Sequence, residues 1–461
     1  MKIKLLPIVL LIILTIAVLN NCTSNSSSEK ENKSEIIKEA KVNIEKYRKT
    51  DFSIQINGLE NSELNSLEVE VEQLTHDFLF GCIIFDLVSP NRQLDDEEKF
   101  KAQFKNLFNF AVFPFYWSGY EPEQGNTNQM KIAEVANWCL ENGITCKGHP
   151  LVWTHTAGTP GWLSEYSTEE SKKLLQKRVE NIVFEFENQI EIWDVINEVI
   201  HTVNWDKAMA ENNNGTDNRY TGSDLMAEKV AFIDSCFQWA HQANSDAELI
   251  INEFNIVANE KSRQEFHNVV KALLDGGTPI SGLGIQAHEP NQGRYYYSPE
   301  QLWETFNTYK EFNLPMHLTE LIPVSNGDSI VGGFKTGIWT EEIQAEFAEM
   351  IFTLGFGYPQ IESINWWGFT DRNIWQENGG LVDENLEPKL VYIKLDQLIN
   401  HDWKTIIKDL RPDKSGKVSF RGFKGNYKVL IKQDGKILKN EQLNYSDTES
   451  VKNILKVNLS E

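Results

Sequence analysis

The stretch Glu191-Ile192-Trp193-Asp194-Val195-Ile196-Asn197-Glu198 decides the fold. It is a short apolar run that closes on an amide and a carboxylate, and segments of helical period lie on either side of it, near 168–187 and 223–243. A strand held between two helices is the repeating unit of a parallel sheet. Working outward, the same alternation occurs eight times. Strands are expected at 79–84, 110–116, 144–152, 191–197, 248–253, 282–287, 315–319 and 362–367. The helices that follow them are expected near 95–109, 128–142, 168–187, 223–243, 260–275, 298–312, 341–355 and 388–399. Ser167-Thr168-Glu169-Glu170 and Ser298-Pro299-Glu300 are helix-start signals. Eight such units fit a closed (β/α)8 TIM barrel better than an open doubly wound sheet, and no glycine-rich nucleotide fingerprint follows the first strand.

Two flanking segments read differently. Residues 51–78 and 401–461 alternate apolar and polar residues around Asn57-Gly58, Gly425-Asn426 and Asp434-Gly435. Neither carries enough strands to be stable alone, so together they are expected to form a small accessory β-sandwich beside a catalytic barrel spanning 79–400.

In such a barrel the chemistry gathers where strands end at the C-terminal face. Glu198 closes the fourth strand, and Glu320 follows His317-Leu318-Thr319 at the end of the seventh. Those two strands lie across the barrel mouth from each other, so their terminal carboxyls can converge. One strand-ending Glu is usually just solvated. Two on facing strands suit glycoside cleavage with retention, in which one carboxyl donates a proton and the other attacks from about 5 to 5.5 Å away. Other polar strand ends complete a ring: His149 in Gly148-His149-Pro150-Leu151-Val152-Trp153, Asn252, and Gln286 with His288.

The segments W-D-V-I-N-E, G-H-P-L-V-W, G-I-Q-A-H, H-L-T-E-L and W-G-F-T-D-R-N-I-W, in that arrangement, resemble glycoside hydrolase family 10, the xylanase family, over roughly residues 79–400. The resemblance implies a retaining endo-1,4-β-xylanase scaffold with Glu198 as acid/base and Glu320 as nucleophile. It further implies that Asn197 bonds the sugar 2-hydroxyl, His288 orients Glu320, and His149 contacts the sugar at the cleavage site. Trp367 and Trp375 would frame that sugar, with Trp153 beside it and Gln286 and Asn252 in a supporting polar shell. The mechanism requires no cofactor, and no metal is expected.

The chain departs from the family after the second strand. An acidic, Asn-containing segment ending in Lys-Trp is usual there; this chain reads Val112-Phe113-Pro114-Phe115-Tyr116-Trp117. Aromatic replacements favour stacking or a less hydroxylated glycone. Tyr116 is the expected substrate contact, while filling the barrel is the plainer role for Phe113 or Phe115. The loops Thr154–Trp162 and Asn212–Asp217 also differ from the usual form and would border the cleft. A different or substituted β-glycan, or a non-catalytic carbohydrate-binding surface protein, are the competing readings. The retained acid pair argues against the second.

The whole chain sets the context. Its net charge of −23, from 67 acidic against 44 basic residues, disfavours nucleic acid as a partner. Residues 1–21 read as a signal peptide, and Leu19-Asn20-Asn21-Cys22 resembles a bacterial lipoprotein site with Cys22 as the acylated residue. Asn21 departs from the usual small residue. A polar tether and linker is expected over 22–50, placing a monomeric enzyme at the cell envelope as an outer-membrane or surface lipoprotein, or else secreted. The other four cysteines, Cys82, Cys139, Cys146 and Cys236, match no metal or redox spacing and read as buried apolar residues.

Overall fold

A computed structural model describes residues 35–89, 94, 96–201, 205, 223–288, 293–372, 374–445 and 453–459. The signal segment, Cys22 and the loop Asn212–Asp217 lie outside the described residues.

Eight parallel strands close into a barrel: β3 (Leu79–Ile83), β4 (Phe110–Pro114), β5 (Thr145–His149), β6 (Ile192–Asn197), β7 (Glu248–Glu253), β8 (Gly282–Ile285), β9 (Met316–Leu321) and β10 (Ile361–Trp366), with β10 pairing back onto β3. These are the eight expected strands, with some ends displaced. The run expected at 144–152 leaves the regular ladder at His149, after which Val152 makes only an isolated bridge to Ile196. Helices cover the outside, and their starts follow the capping signals. Ser167 and Ser298 each accept from the backbone three residues on, and Glu170 and Gln301 complete the two capping boxes. The last helix begins as an α-helix over Leu390–Asp396 and continues as a π-helix over Gln397–Asp402.

The barrel interior is packed, and its glycines make room for large neighbours. A Cβ on Gly148 would sit 2.1 Å from the Trp193 ring, and one on Gly284 would sit 2.2 Å from Asn252 Oδ1. Strands β5 and β8 therefore carry no side chain where β6 and β7 project theirs inward.

The flanking segments form two small sheets. One has the order β12 (Lys417–Phe423), β1 (Lys49–Asn57), β15 (Ile454–Asn458), and the other β11 (Ile406–Leu410), β2 (Leu67–Gln73), β13 (Tyr427–Gln433), β14 (Lys436–Leu443). Phe52 pairs with Phe420 and Val71 with Val429, joining residues from opposite ends of the chain. Alternate residues of β2 are buried, and Phe52, Ile54, Val69, Val71, Val429 and Ile431 make a core separate from that of the barrel.

The tether expected over 22–50 is corrected from residue 35 onward. Residues 35–47 are helical, and Ala40 and Ile44 are buried in the barrel core. The segment is polar overall, which hid a narrow apolar face. Gly357 accommodates it, since a Cβ there would come within 2.5 Å of the Ala40 carbonyl. Arg48 then fastens the junction, its guanidinium donating at 2.7 Å to the carbonyls of Phe356, Tyr358 and Ile361.

Candidate active site

Glu198 is the first residue beyond β6, and it adopts a left-handed backbone with φ 62°. This conformation costs a non-glycine residue on the order of 1–2 kcal/mol. The turn is held on both sides: the Asn197 N–H donates to Val152 O at 3.0 Å, and the Glu198 N–H to Asn252 O at 2.9 Å. Ala287, just before His288, is also left-handed (φ 54°). Both left-handed residues therefore fall where a strand end turns Glu198 or His288 into the cleft.

A continuous set of amides connects the two acids. Gln286 Nε2 donates to Glu198 Oε1 at 3.3 Å and to Asn197 Oδ1 at 3.0 Å. Asn252 Nδ2 donates to the same Asn197 oxygen at 2.9 Å and to Glu320 Oε1 at 2.8 Å. Asn197 returns a bond from its own Nδ2 to Glu198 Oε1 at 3.3 Å, and Thr319 Oγ1 fixes Asn252 by donating to its Oδ1 at 2.8 Å. The second Glu198 oxygen accepts from Trp153 Nε1 at 2.9 Å. On the other acid, His288 Nε2 lies 3.5 Å from Glu320 Oε2 and His149 Nε2 lies 3.8 Å from Oε1.

The electrostatics act strongly on Glu198. Burial pushes the Glu198 carboxyl up to about 8, with the charges of Glu253 and Glu320 adding to it against smaller opposing effects from His288 and Gln286. Such a group keeps its proton at neutral pH. Beneath the site, burial would raise Asp194, but Lys147 at 2.8 Å and His149 at 2.7 Å outweigh it and hold that carboxyl below its ordinary value. His149 is thereby fixed through Nδ1, and its Nε2 is a buried atom with no hydrogen-bond partner among the described residues.

Glu198 and Glu320 open into one cleft of about 860 Å³, which Asn197, Trp153, Tyr116, His288, Trp367 and Trp375 also line. The structure thus gathers these expected site residues around one space. It treats His149, Asn252 and Gln286 differently: all three are fully buried behind the acids and reach no cleft surface. Trp375 is at the opposite extreme, 49% exposed at the rim, with its ring 5.0 Å from that of His288. Of the aromatic run at the end of β4, Phe113 and Phe115 are fully buried, and Tyr116 reaches the cleft. The loop after Trp153 contributes His155, whose ring stacks on that indole at 4.2 Å, and Ala157.

Several contributors were not singled out from the sequence. Glu253 is fully buried, accepting from the N–H groups of Ile200 (2.8 Å) and Phe254 (2.9 Å), with His201 Nδ1 at 2.9 Å. It is itself a carboxylate closing an apolar strand, so the rule that selected Glu198 and Glu320 also pointed to it. Asp194 and Lys147 were legible as charges inside apolar strands, whereas Phe85 and Phe254 carry no signal beyond their aromaticity. Among the described residues no cluster of His, Cys, Asp and Glu could hold a metal ion. The cysteines Cys82, Cys139, Cys146 and Cys236 are buried free thiols.

Known proteins resemble the chain over the barrel. The profile described as Glycosyl hydrolase family 10 matches residues 73–397. The chain is 29% identical over 322 residues to endo-1,4-beta-xylanase B of Thermotoga neapolitana, covering 68% of this chain and 86% of that protein. It is 26% identical over 430 residues to endo-1,4-beta-xylanase 1 of Arabidopsis thaliana, covering 90% of this chain but only 40% of the plant protein. Among solved structures, native xylanase 10B of Thermotoga maritima superposes with a TM-score of 0.56 at 25% identity, covering 71% of this chain and 96% of that one.

Proposed function

The chain belongs to glycosyl hydrolase family 10, and from that membership we propose that it cleaves internal β-1,4 links of a xylan-type polysaccharide by double displacement. The observation that carries this reading is that Glu198 and Glu320 open into the same cleft, the former with a carboxyl that burial raises to about 8. Glu198 donates its proton to the departing glycosidic oxygen while Glu320 attacks the anomeric carbon, giving a glycosyl-enzyme and a free aglycone. Ester formation removes the Glu320 charge, one of the influences that keep Glu198 protonated. Glu198 can then act as base, taking a proton from the water that attacks the glycosyl ester and frees Glu320. Asn197, whose amide is clamped between Gln286 and Asn252, would meet the sugar 2-hydroxyl, and His288 would position Glu320. Trp153 holds the acid, and Trp367 and Trp375 frame the sugar.

The test uses an aryl xylobioside with a good leaving group. Glu320→Gln should abolish turnover. Glu198→Ala should retain first-step cleavage and be accelerated by azide; equal rescue of both variants would refute the assignment.

Leu19 to Cys22 supports export and acylation at Cys22, putting the enzyme on the cell envelope, where polymer is cut outside the cell. Labelling with a fatty-acid analogue that disappears in Cys22→Ser would support this placement. Unaltered labelling in that variant would refute it.

A further inference from the structure

Ile83, Phe85, Pro114, Tyr116, Trp367 and Ile374 give the cleft a wall of apolar groups, while Asp86, Ser118 and Asn128 are among the polar residues that also line the cleft. Tyr116 is the central member of the wall. Its ring packs edge-on against Phe85 at 6.1 Å and His149 at 5.3 Å, and tilted against Trp153 at 5.7 Å. Trp153 bonds Glu198, and His149 lies beside Glu320. Tyr116 therefore stands next to the groups that support both acids, within reach of a sugar at the reaction centre. Trp367 closes the same wall, 5.6 Å from Phe85 and 4.9 Å from His149.

The charges of the cleft are also one-sided. Asp86, Glu198 and Glu320 line it, and among the described residues no lysine or arginine does. Among the described lining residues, an anionic uronate or sulfate on the sugar would meet these carboxylates, with only His155 and His288 as basic groups. A free hydroxyl turned toward this wall would leave water for aromatic faces and an aliphatic edge, with few groups to replace its lost hydrogen bonds. A small apolar substituent gains from the same surroundings.

We propose that the wall formed by Phe85, Tyr116 and Trp367 is a specificity-determining subsite that takes a neutral sugar carrying a small ester or ether, such as O-acetyl or O-methyl, in place of a free hydroxyl. This inference rests on the hydrolase reading above and names its substrate class.

The experiment compares matched oligosaccharides on the full-length enzyme: acetylated xylo-oligosaccharides, the same preparation after alkaline deacetylation, and an O-methylated counterpart that separates ether from ester. The wild type is expected to show kcat/KM at least fivefold higher on one or both substituted substrates than on the bare one. Tyr116→Lys should reverse that preference. Tyr116→Asn serves as a second variant, and calorimetric melting identifies any variant that fails to fold. A wild type that prefers the bare oligosaccharide, or a preference unchanged in both folded variants, overturns the proposal. The same ratios are measured as binding constants on Glu320→Gln protein. Binding preference without cleavage of any xylan-derived substrate by the wild type would then sink the xylan reading and leave this one standing. Equal binding of bare and substituted sugars would sink this one.

Discussion

The indole of Trp153 donates to Oε2 of Glu198 at 2.9 Å while its face stacks on His155. Trp153→Phe keeps an aromatic face for that stack and deletes the donor. A hydrogen bond to a functional carboxyl of this kind is worth about 1.5 kcal/mol. The expected result is a roughly tenfold fall in kcat/KM with little change in melting temperature.

The alkaline limb of activity should report Glu198. With its carboxyl raised to about 8, the acid form persists through neutral pH, and kcat/KM should fall as pH passes that value. His288, Glu320, Glu253 and His201 are the titratable groups around it. Glu253→Gln removes a negative charge that raises Glu198, so the limb should move toward acid. A limb that stays in place, measured with the same substrate in both proteins, would show that Glu253 serves only to hold the Ile200 and Phe254 amides.

The same shift has a cost in stability, and its sign follows from proton binding. Between the unfolded carboxyl value, about 4.3, and the folded value of about 8, the native state holds a proton that the unfolded chain has lost. Folding stability due to this group therefore falls as pH rises across that window, by a few kcal/mol in total. Glu198→Gln avoids the loss. Its melting temperature should exceed that of the wild type near pH 8 and converge with it near pH 4.

Arg48 links the N-terminal helix to the barrel through three carbonyls. Arg48→Ala leaves those acceptors without their charged donor, and urea unfolding should register a loss of about 3 kcal/mol. The residue is remote from the cleft, so kcat at temperatures well below the transition should not change.

The barrel was legible because each strand is a dense apolar run bounded by breakers, a pattern that burial on both faces imposes locally. Glu198 and Glu320 were legible for the same reason, as polar endings on such runs. What the sequence concealed depends on partners distant along the chain. The helix over 35–47 is an ordinary polar segment until Gly357 provides a place for Ala40. The supporting place of Gln286, behind Asn197, was legible, whereas His149 was expected to contact the sugar and is instead covered by Tyr116 and Trp367. Glu253 carries the same signal as Glu198 and Glu320, a carboxylate that closes an apolar strand.

The docked N-terminal helix also sets a direction. Arg48 meets the barrel at Phe356, Tyr358 and Ile361, where β10 begins, and the two acids stand where strands finish. The junction that Arg48 fastens and the two acids therefore occupy opposite ends of the barrel strands, so the grip of the N-terminal helix is kept apart from the cleft mouth.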